Sequence, residues 1–261
     1  MNSPDNLRRV AYEFAMDNYG EGVRYFEARY APQLHAGRHP DLDMAQVIRS
    51  VNEVRASPLT CTPFAMLWPV LRRAAPCLRC VRGVQGFGQA RDEFNAGRPA
   101  DDALPAHEYG IIVCALRFFV PEMSPYYKTL WDAMPGQDMG DVAAASSSAL
   151  VDVALALRDE ERIPIVALDV AGAEAGFPAK PHAPAYDKAH RNFLGKTVHA
   201  GEACVASVRC SVELDVALSV VRVAALPVCR YGPESVKQAV IDLHCQRLGH
   251  GFHTFNADAS T

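Results

Sequence analysis

The sequence predicts an α/β fold built from parallel strand–helix units. Segments with helical periodicity alternate with short apolar runs that are typical of buried strands, and no hairpin signal joins neighbouring runs. Several of these runs end in a polar residue with glycine beside it. With 261 residues, the chain is long enough for one large domain or two small ones.

Five runs account for the predicted strands. They lie at about residues 23–30, 111–117, 164–169, 196–199 and 247–250. Because helical segments separate these runs, we expect one parallel sheet with its strands in sequence order. Five strands cannot close a barrel that needs eight, so both edges of the sheet should stay unpaired.

The helical segments are recognised by apolar residues three or four positions apart. A long helix is predicted at about 141–158. The apolar positions of the shorter helices are Leu7, Val10, Ala11 and Phe14; Met44, Val47, Ile48 and Val51; Tyr186, Ala189 and Phe193; and Val236, Val240 and Leu243.

Two stretches, at about 56–85 and 203–230, lack the strand–helix pattern. The first falls within a longer segment, from Arg55 to Ala90, that has no acidic residue. Together the two stretches hold six of the eight cysteines, namely Cys61, Cys77, Cys80, Cys204, Cys210 and Cys229. We interpret them as atypical insertions into a single domain that spans 1–261, and we expect neither to join the parallel sheet.

Composition restricts the class of protein. A hydrophobic content of 49% with 21% charged residues is ordinary for a globular protein, and the net charge of −4 gives no footprint for nucleic acid. No apolar run is long enough to span a bilayer, and the N-terminus does not resemble a secretory signal. The expected location is cytoplasmic, with no nucleic-acid or membrane partner.

Three strand ends carry residues suited to catalysis. Asp169, His199 and His250 each lie at the end of a predicted strand near glycine, and Glu202 follows His199 after a short turn. An imidazole such as that of His199 can bind a metal, while Glu202 can deliver or remove a proton. His250 can orient or deprotonate a water. Each residue alone has an ordinary structural explanation, so the evidence is their joint position at strand ends.

Five stretches of the sequence resemble the adenosine deaminase family of metal-dependent purine deaminases. They cover most of the chain outside the two atypical stretches, and "TVHAGE" followed by "GHG" is fairly specific. The stretches are "YFEARYAPQLH" (25–35), "EYGIIVCALRFF" (108–119), "IPIVALDVAGAEAGFPAKPH" (163–182), "FLGKTVHAGEA" (193–203) and "YGPESVKQAVIDLHCQRLGHGFHTF" (231–255).

The resemblance implies a (β/α)₈ barrel that uses one zinc ion to hydrolyse adenosine, or a related aminopurine nucleoside, to inosine and ammonia. It assigns His199 as a zinc ligand and Glu202 as the acid that protonates N1 of the purine. It further assigns His250 as the residue that positions the attacking water, and the backbone amide of Gly172 as a purine contact. The zinc would lower the pKa of that water.

The chain departs from the family at both ends of the barrel. The family carries a His-x-His pair of zinc ligands on its first strand and an Asp pair after its last strand. No His-x-His occurs here, and the resemblance covers strands two to six of the barrel.

Two alternatives therefore stay open beside the enzyme. One is a catalytically inactive fragment or pseudoenzyme of the family. The other is a zinc or redox module that uses Cys77 and Cys80 with Cys61. The oligomeric state is left open.

Overall fold

The computed structural model describes residues 3–53, 86–202, 206–208, 211–215, 220–224, 227–229, 232–252 and 254. The chain divides into two compact units, Met1–Phe26 with Gly37–Tyr109, and Glu27–Ala36 with Gly110–Thr261. The atypical stretch at 56–85 lies outside the described residues, and so does the proposed cysteine module.

The first unit contains three helices, α1 (Pro4–Gly20), α2 (Met44–Asn52) and α3 (Phe87–Ala96). The side chains of Ser3 and Asp43 cap α1 and α2, and Pro4 occupies the first turn of α1. The predicted apolar face of α2 is buried. In α1, Leu7 and Ala11 are buried, whereas Val10 and Phe14 are 47% and 44% exposed.

Nine strands are described. They are β1 (Tyr25–Tyr30), β2 (Glu108–Leu116), β3 (Ile165–Ala171), β4 (Gly195–Ala200), β5 (Ala206–Val208), β6 (Ser211–Asp215), β7 (Val220–Ala224), β8 (Pro227–Cys229) and β9 (Arg247–His250).

Five of these strands form one sheet in the order β1-β2-β3-β4-β9, which is their order in the sequence. The pairings of β2 with β3, β3 with β4, and β4 with β9 are all parallel. Strands β2 and β3 are almost completely buried, which explains their near-continuous apolar runs. The predicted sheet is therefore confirmed. Within the part of the chain that the structure describes, β1 and β9 are its two edges.

The four helices of the second unit are α4 (Pro125–Ala133), α5 (Met139–Glu161), α6 (Ala183–Arg191) and α7 (Gly232–Lys237), which a π-helical turn (Gln238–Asp242) continues. Helix α5 packs against α6 and β3. Its length and composition would let it cross a membrane, with a mean hydropathy of 1.4 over the relevant window, but 44% of that window is buried inside the protein. A core helix passes the same test.

Phe193 does not line α6, so that part of the helix prediction is wrong. The helix ends at Arg191, and Phe193 adopts a left-handed conformation with φ of 55°. The backbone amide of Leu194 then donates to the carbonyl of Ala189 at 2.9 Å and turns the chain into β4. The Phe193 side chain is 96% exposed.

The described strands of the second atypical stretch pair only with one another. Strand β5 pairs with β8, and β6 with β7, both in antiparallel fashion. None of these four strands joins the parallel sheet, so that expectation is confirmed for the described residues of 203–230.

Candidate active site

The carboxyl ends of β4 and β9 bring three of the predicted residues together. Their register places His199 opposite Gly249 and Ala200 opposite His250. The imidazole rings of His199 and His250 have centroids 5.3 Å apart. His250 Nε2 lies 3.4 Å from Glu202 Oε2, and both side chains are open to solvent. His250 therefore lies between the imidazole of His199 and the carboxylate of Glu202.

Glycine makes the turn between His199 and Glu202 possible. Gly201 has φ of 78°, and a Cβ on this residue would lie 2.9 Å from Val236 Cγ2 and 3.2 Å from Gly251 Cα. No other residue fits there without displacing α7 or the end of β9. His250 has φ of 64°, a conformation that costs a non-glycine residue about 1 kcal/mol or more. Strained backbone of this kind is common at functional sites.

A buried carboxylate lies beside His199. Asp169, at the end of β3, is fully buried, and its Oδ2 lies 2.8 Å from His199 Nδ1. The contact is short enough to be attractive, although it does not meet the angle expected of a hydrogen bond. The same oxygen lies 3.3 Å from Arg29 Nε, and Oδ1 accepts from the Val170 amide at 2.8 Å. Asp169 is thus held from three sides.

Two further neighbours shape the surroundings of His199. Gly249 lies against the imidazole, since a Cβ there would be 3.5 Å from His199 Cδ2. Cys114, on β2, lies with its Sγ 3.7 Å from Asp169 Oδ2. Burial raises the pKa of the Cys114 thiol, and the charge of Asp169 raises it further. Cys114 is therefore a neutral thiol and not an activated nucleophile.

A buried arginine ties the strand ends together. Arg117 follows β2 and is only 3% exposed. Its Nη2 donates to the His199 carbonyl at 2.7 Å, its Nη1 to the Phe177 carbonyl at 3.3 Å, and its backbone amide to Ala171 at 2.8 Å. Burial lowers the pKa of the guanidinium, and the negative charge of Glu174 opposes that effect. Arg117 thereby fixes the backbone of His199.

Gly172 and Glu174 lie on the loop that follows β3. Gly172 is exposed and has φ of 104°, which few residues other than glycine adopt. Glu174 is 6% exposed, and its Oε2 accepts from the Glu202 backbone amide at 3.1 Å. Gly172 thus lies two residues before Glu174 on the same loop.

Sequence reasoning identified His199, Glu202 and His250, which the structure brings together, and missed most of the residues that contact them. Asp169 was recognised as a polar strand end without being assigned a role. Its signal was a carboxylate inside an otherwise apolar strand. Arg29, Arg117 and Glu174 had no local signal, because their partners lie far away in the sequence.

The described residues do not provide a complete metal site. Among them, no group of three or more His, Cys, Asp or Glu side chains could hold an ion together. His199 Nδ1 lies 2.8 Å from Asp169 Oδ2, so these two side chains contact each other directly. A catalytic zinc site normally needs three protein ligands.

Comparison with known proteins identifies the family. The adenosine deaminase family profile matches residues 1–88 and 137–217, which is more than half of the chain. The chain belongs to the adenosine deaminase family. The matched ranges contain Gly172, His199 and Glu202, and they end before His250.

Individual relatives agree with this assignment. The adenosine deaminase of Mycobacterium ulcerans (strain Agy99) is 25% identical over 252 residues, covering 96% of this chain and 43% of that protein. Adenosine deaminase 1 of Streptomyces coelicolor is 27% identical over 251 residues, covering 96% of this chain and 39% of that protein. The chain therefore spans less than half the length of the curated relatives that it matches.

A solved structure supports the fold. The crystal structure of adenine deaminase from Arthrobacter aurescens aligns with a TM-score of 0.50 and 15% identity, covering 96% of this chain and 46% of the other. At this identity the likeness concerns the fold alone. The five-stranded parallel sheet is part of a (β/α)₈ barrel.

Proposed function

We propose that this chain carries part of the active site of a hydrolase that deaminates adenosine, or a related aminopurine nucleoside, to inosine and ammonia. The observation that carries the proposal is the grouping of Glu202 with His250, at 3.4 Å, beside His199 at the ends of β4 and β9. Membership in the adenosine deaminase family supports the reaction class. Purine salvage is the corresponding cellular role.

Each residue has a defined part in this chemistry. Glu202, as a carboxylic acid, donates a proton to N1 of the purine, which withdraws electrons from C6. His250 orients a water molecule towards C6 and accepts a proton from it as the water oxygen bonds to C6. The C6–N bond then breaks as His250 gives that proton to the amino group, which leaves as ammonia, and the proton of the C6 hydroxyl restores the acid form of Glu202. The backbone amide of Gly172 binds the purine ring. Asp169 contacts the imidazole of His199, and Arg117 donates to its backbone carbonyl.

Zinc dependence is part of the proposal, with His199 as one ligand. Because the described residues offer no group of three ligands, the remaining ligands would come from outside them. The same observation favours a second candidate, an inactive fragment or pseudoenzyme, for the 261-residue chain on its own. A site with one imidazole holds zinc weakly against water.

A turnover assay tests both candidates. The purified 261-residue chain is mixed with adenosine, with and without added zinc, and inosine is followed by chromatography. We expect little or no turnover from this chain. We expect turnover from a longer chain that also carries the first-strand His-x-His and the last-strand Asp pair of the family.

The Glu202→Ala substitution should lower the activity of that longer chain by about 10²–10⁴-fold, the usual contribution of a general acid. Glu234→Ala, at an exposed glutamate on α7, is the matched control and should change little. Turnover by the isolated chain that disappears with Glu202→Ala would show that the 261-residue chain suffices. An active longer chain that tolerates Glu202→Ala would refute the role of Glu202.

A further inference from the structure

Glu174 is a buried carboxylate that the proposed chemistry does not use. It lies on the loop after β3 and is 6% exposed. A buried carboxylate is costly unless hydrogen bonds or opposite charges compensate for its lost hydration. The partners of Glu174 therefore indicate what the residue does.

The two oxygens of Glu174 bind two different elements. Oε2 accepts from the backbone amide of Glu202 at 3.1 Å, and Oε1 accepts from the hydroxyl of Ser235, on α7, at 3.3 Å. The carboxylate thus bridges the loop after β3, the turn after β4 and the first turn of α7. The side chain of Glu202 is itself 60% exposed. The position of its carboxylate therefore depends on how the Glu202 backbone is held, and Glu174 binds that backbone.

The charge of Glu174 has a buried counterpart in Arg117. The guanidinium is 3% exposed and donates to the carbonyls of His199 and Phe177, at 2.7 and 3.3 Å. The carboxylate of Glu174 counteracts the effect of burial on the pKa of Arg117. These two charges hold the backbone on both sides of the turn, Arg117 at His199 and Glu174 at Glu202.

We propose that Glu174 is the positioning residue for Glu202, which it places by binding the Glu202 backbone amide. The inference rests on the proposed role of Glu202 as the proton donor. Glu174 acts through Glu202, and its own oxygens are occupied by the amide and by Ser235.

Two substitutions of Glu174 distinguish its role as a hydrogen-bond acceptor from the effect of its side-chain volume. In Glu174→Gln, the amide oxygen can accept from Glu202, and the new NH₂ group can donate to the Ser235 hydroxyl, which reverses its role. Glu174→Met retains the length of the side chain and has no comparable acceptor. Gln should therefore preserve the contact that Met removes.

Hydrogen exchange measures the contact in the 261-residue chain itself. Mass spectrometry of peptides that differ only by Glu202 reports the exchange rate of that amide, and the amides of 111–115 in β2 serve as the internal reference. A hydrogen bond to a charged acceptor contributes about 1.5 kcal/mol or more, which corresponds to about tenfold in the exchange rate.

We expect the Glu202 amide to exchange about tenfold faster in Glu174→Met, with the β2 reference unchanged, and within about threefold of wild type in Glu174→Gln. Unchanged exchange at Glu202 in Glu174→Met would overturn the proposal. Equal acceleration throughout β2 would also overturn it, because Glu174 would then be a general packing residue.

A separate hydrogen-exchange experiment measures the wild-type chain with millimolar adenosine added. Slower exchange at residues 197–202 would support the proposed function. No change in exchange would count against that function alone and leave the Glu174 contact to be judged by the variants.

Discussion

His182 should make the stability of this protein depend steeply on pH. Its imidazole is 1% exposed, and burial lowers its pKa from an ordinary value of 6.5 to about 3, with a smaller effect of the positive charge of Arg117. Ser147 Oγ donates to the Ala143 carbonyl and lies 2.6 Å from His182 Nδ1, so the imidazole donates from Nδ1 to the hydroxyl. The native state therefore holds this histidine neutral.

The sign of the effect follows from proton uptake. Below pH 6.5 the unfolded chain binds a proton at His182, and the folded chain does not until about pH 3. Stability from this residue is thus complete above pH 6.5 and is lost as the pH falls towards 3. The free energy of unfolding should drop by about 2 kcal/mol between pH 7 and pH 5, and by about 4 kcal/mol in total by pH 3.

Urea unfolding at pH 7 and pH 5 measures this difference. His182→Gln and His182→Leu should both lose about 2 kcal/mol of the wild-type pH dependence, whatever each does to stability at pH 7. Ser147→Ala is the matched control, because it removes the partner and keeps the buried imidazole. It should cost about 1 kcal/mol at pH 7 and retain the pH dependence. A wild-type pH dependence that persists in both His182 variants would refute the assignment to this imidazole.

Two further predictions concern the placement of β4. Gly195→Ala should destabilise the protein by about 1–3 kcal/mol in urea unfolding, because its Cβ would lie 2.6 Å from the Val166 carbonyl oxygen. Gly20→Ala is the control, and it should be neutral or slightly stabilising because no atom lies within 4 Å of its Cβ. Equal effects of the two substitutions would contradict this reasoning. Tyr186→Phe should cost about 1–2 kcal/mol, since it removes a buried 2.6 Å hydrogen bond to the Thr197 carbonyl, and a wild-type midpoint would be inconsistent with that contact.

The sheet could be predicted from the sequence because burial on both faces leaves a local pattern. Strand β2 is apolar from Tyr109 to Ala115, and no helical spacing competes with that pattern. Helix ends were harder to predict. Phe193 continued the apolar spacing of α6, but the helix had already ended at Arg191, and no glycine marked the left-handed residue that follows. A non-glycine residue in that conformation gives no compositional signal.

The same distinction, between residues with a local sequence pattern and residues without one, applies to the candidate site. The proximity of His199, Glu202 and His250 could be predicted, because each lies near the end of a strand with glycine close by in the sequence. Gly201 and Gly251 do pack against each other. Arg29, Arg117 and Glu174 could not be predicted, because each contacts a residue brought near only by the sheet. Arg29, on β1, reaches Asp169, on β3, across the single strand β2, and Arg117 reaches the carbonyl of His199.

The buried charges of Arg117 and Glu174 stabilise the fold little by themselves, because their lost hydration offsets most of their mutual attraction. What distinguishes the two residues is the backbone atoms that they bind. Arg117 donates to the carbonyl of His199, and Glu174 accepts from the amide of Glu202, so two opposite charges hold the two ends of one turn. An apolar pair could fill the same volume but would leave that carbonyl and that amide without partners. The two charges therefore fix the position of this turn, and the proposed role of Glu202 as a proton donor beside His250 requires a fixed position.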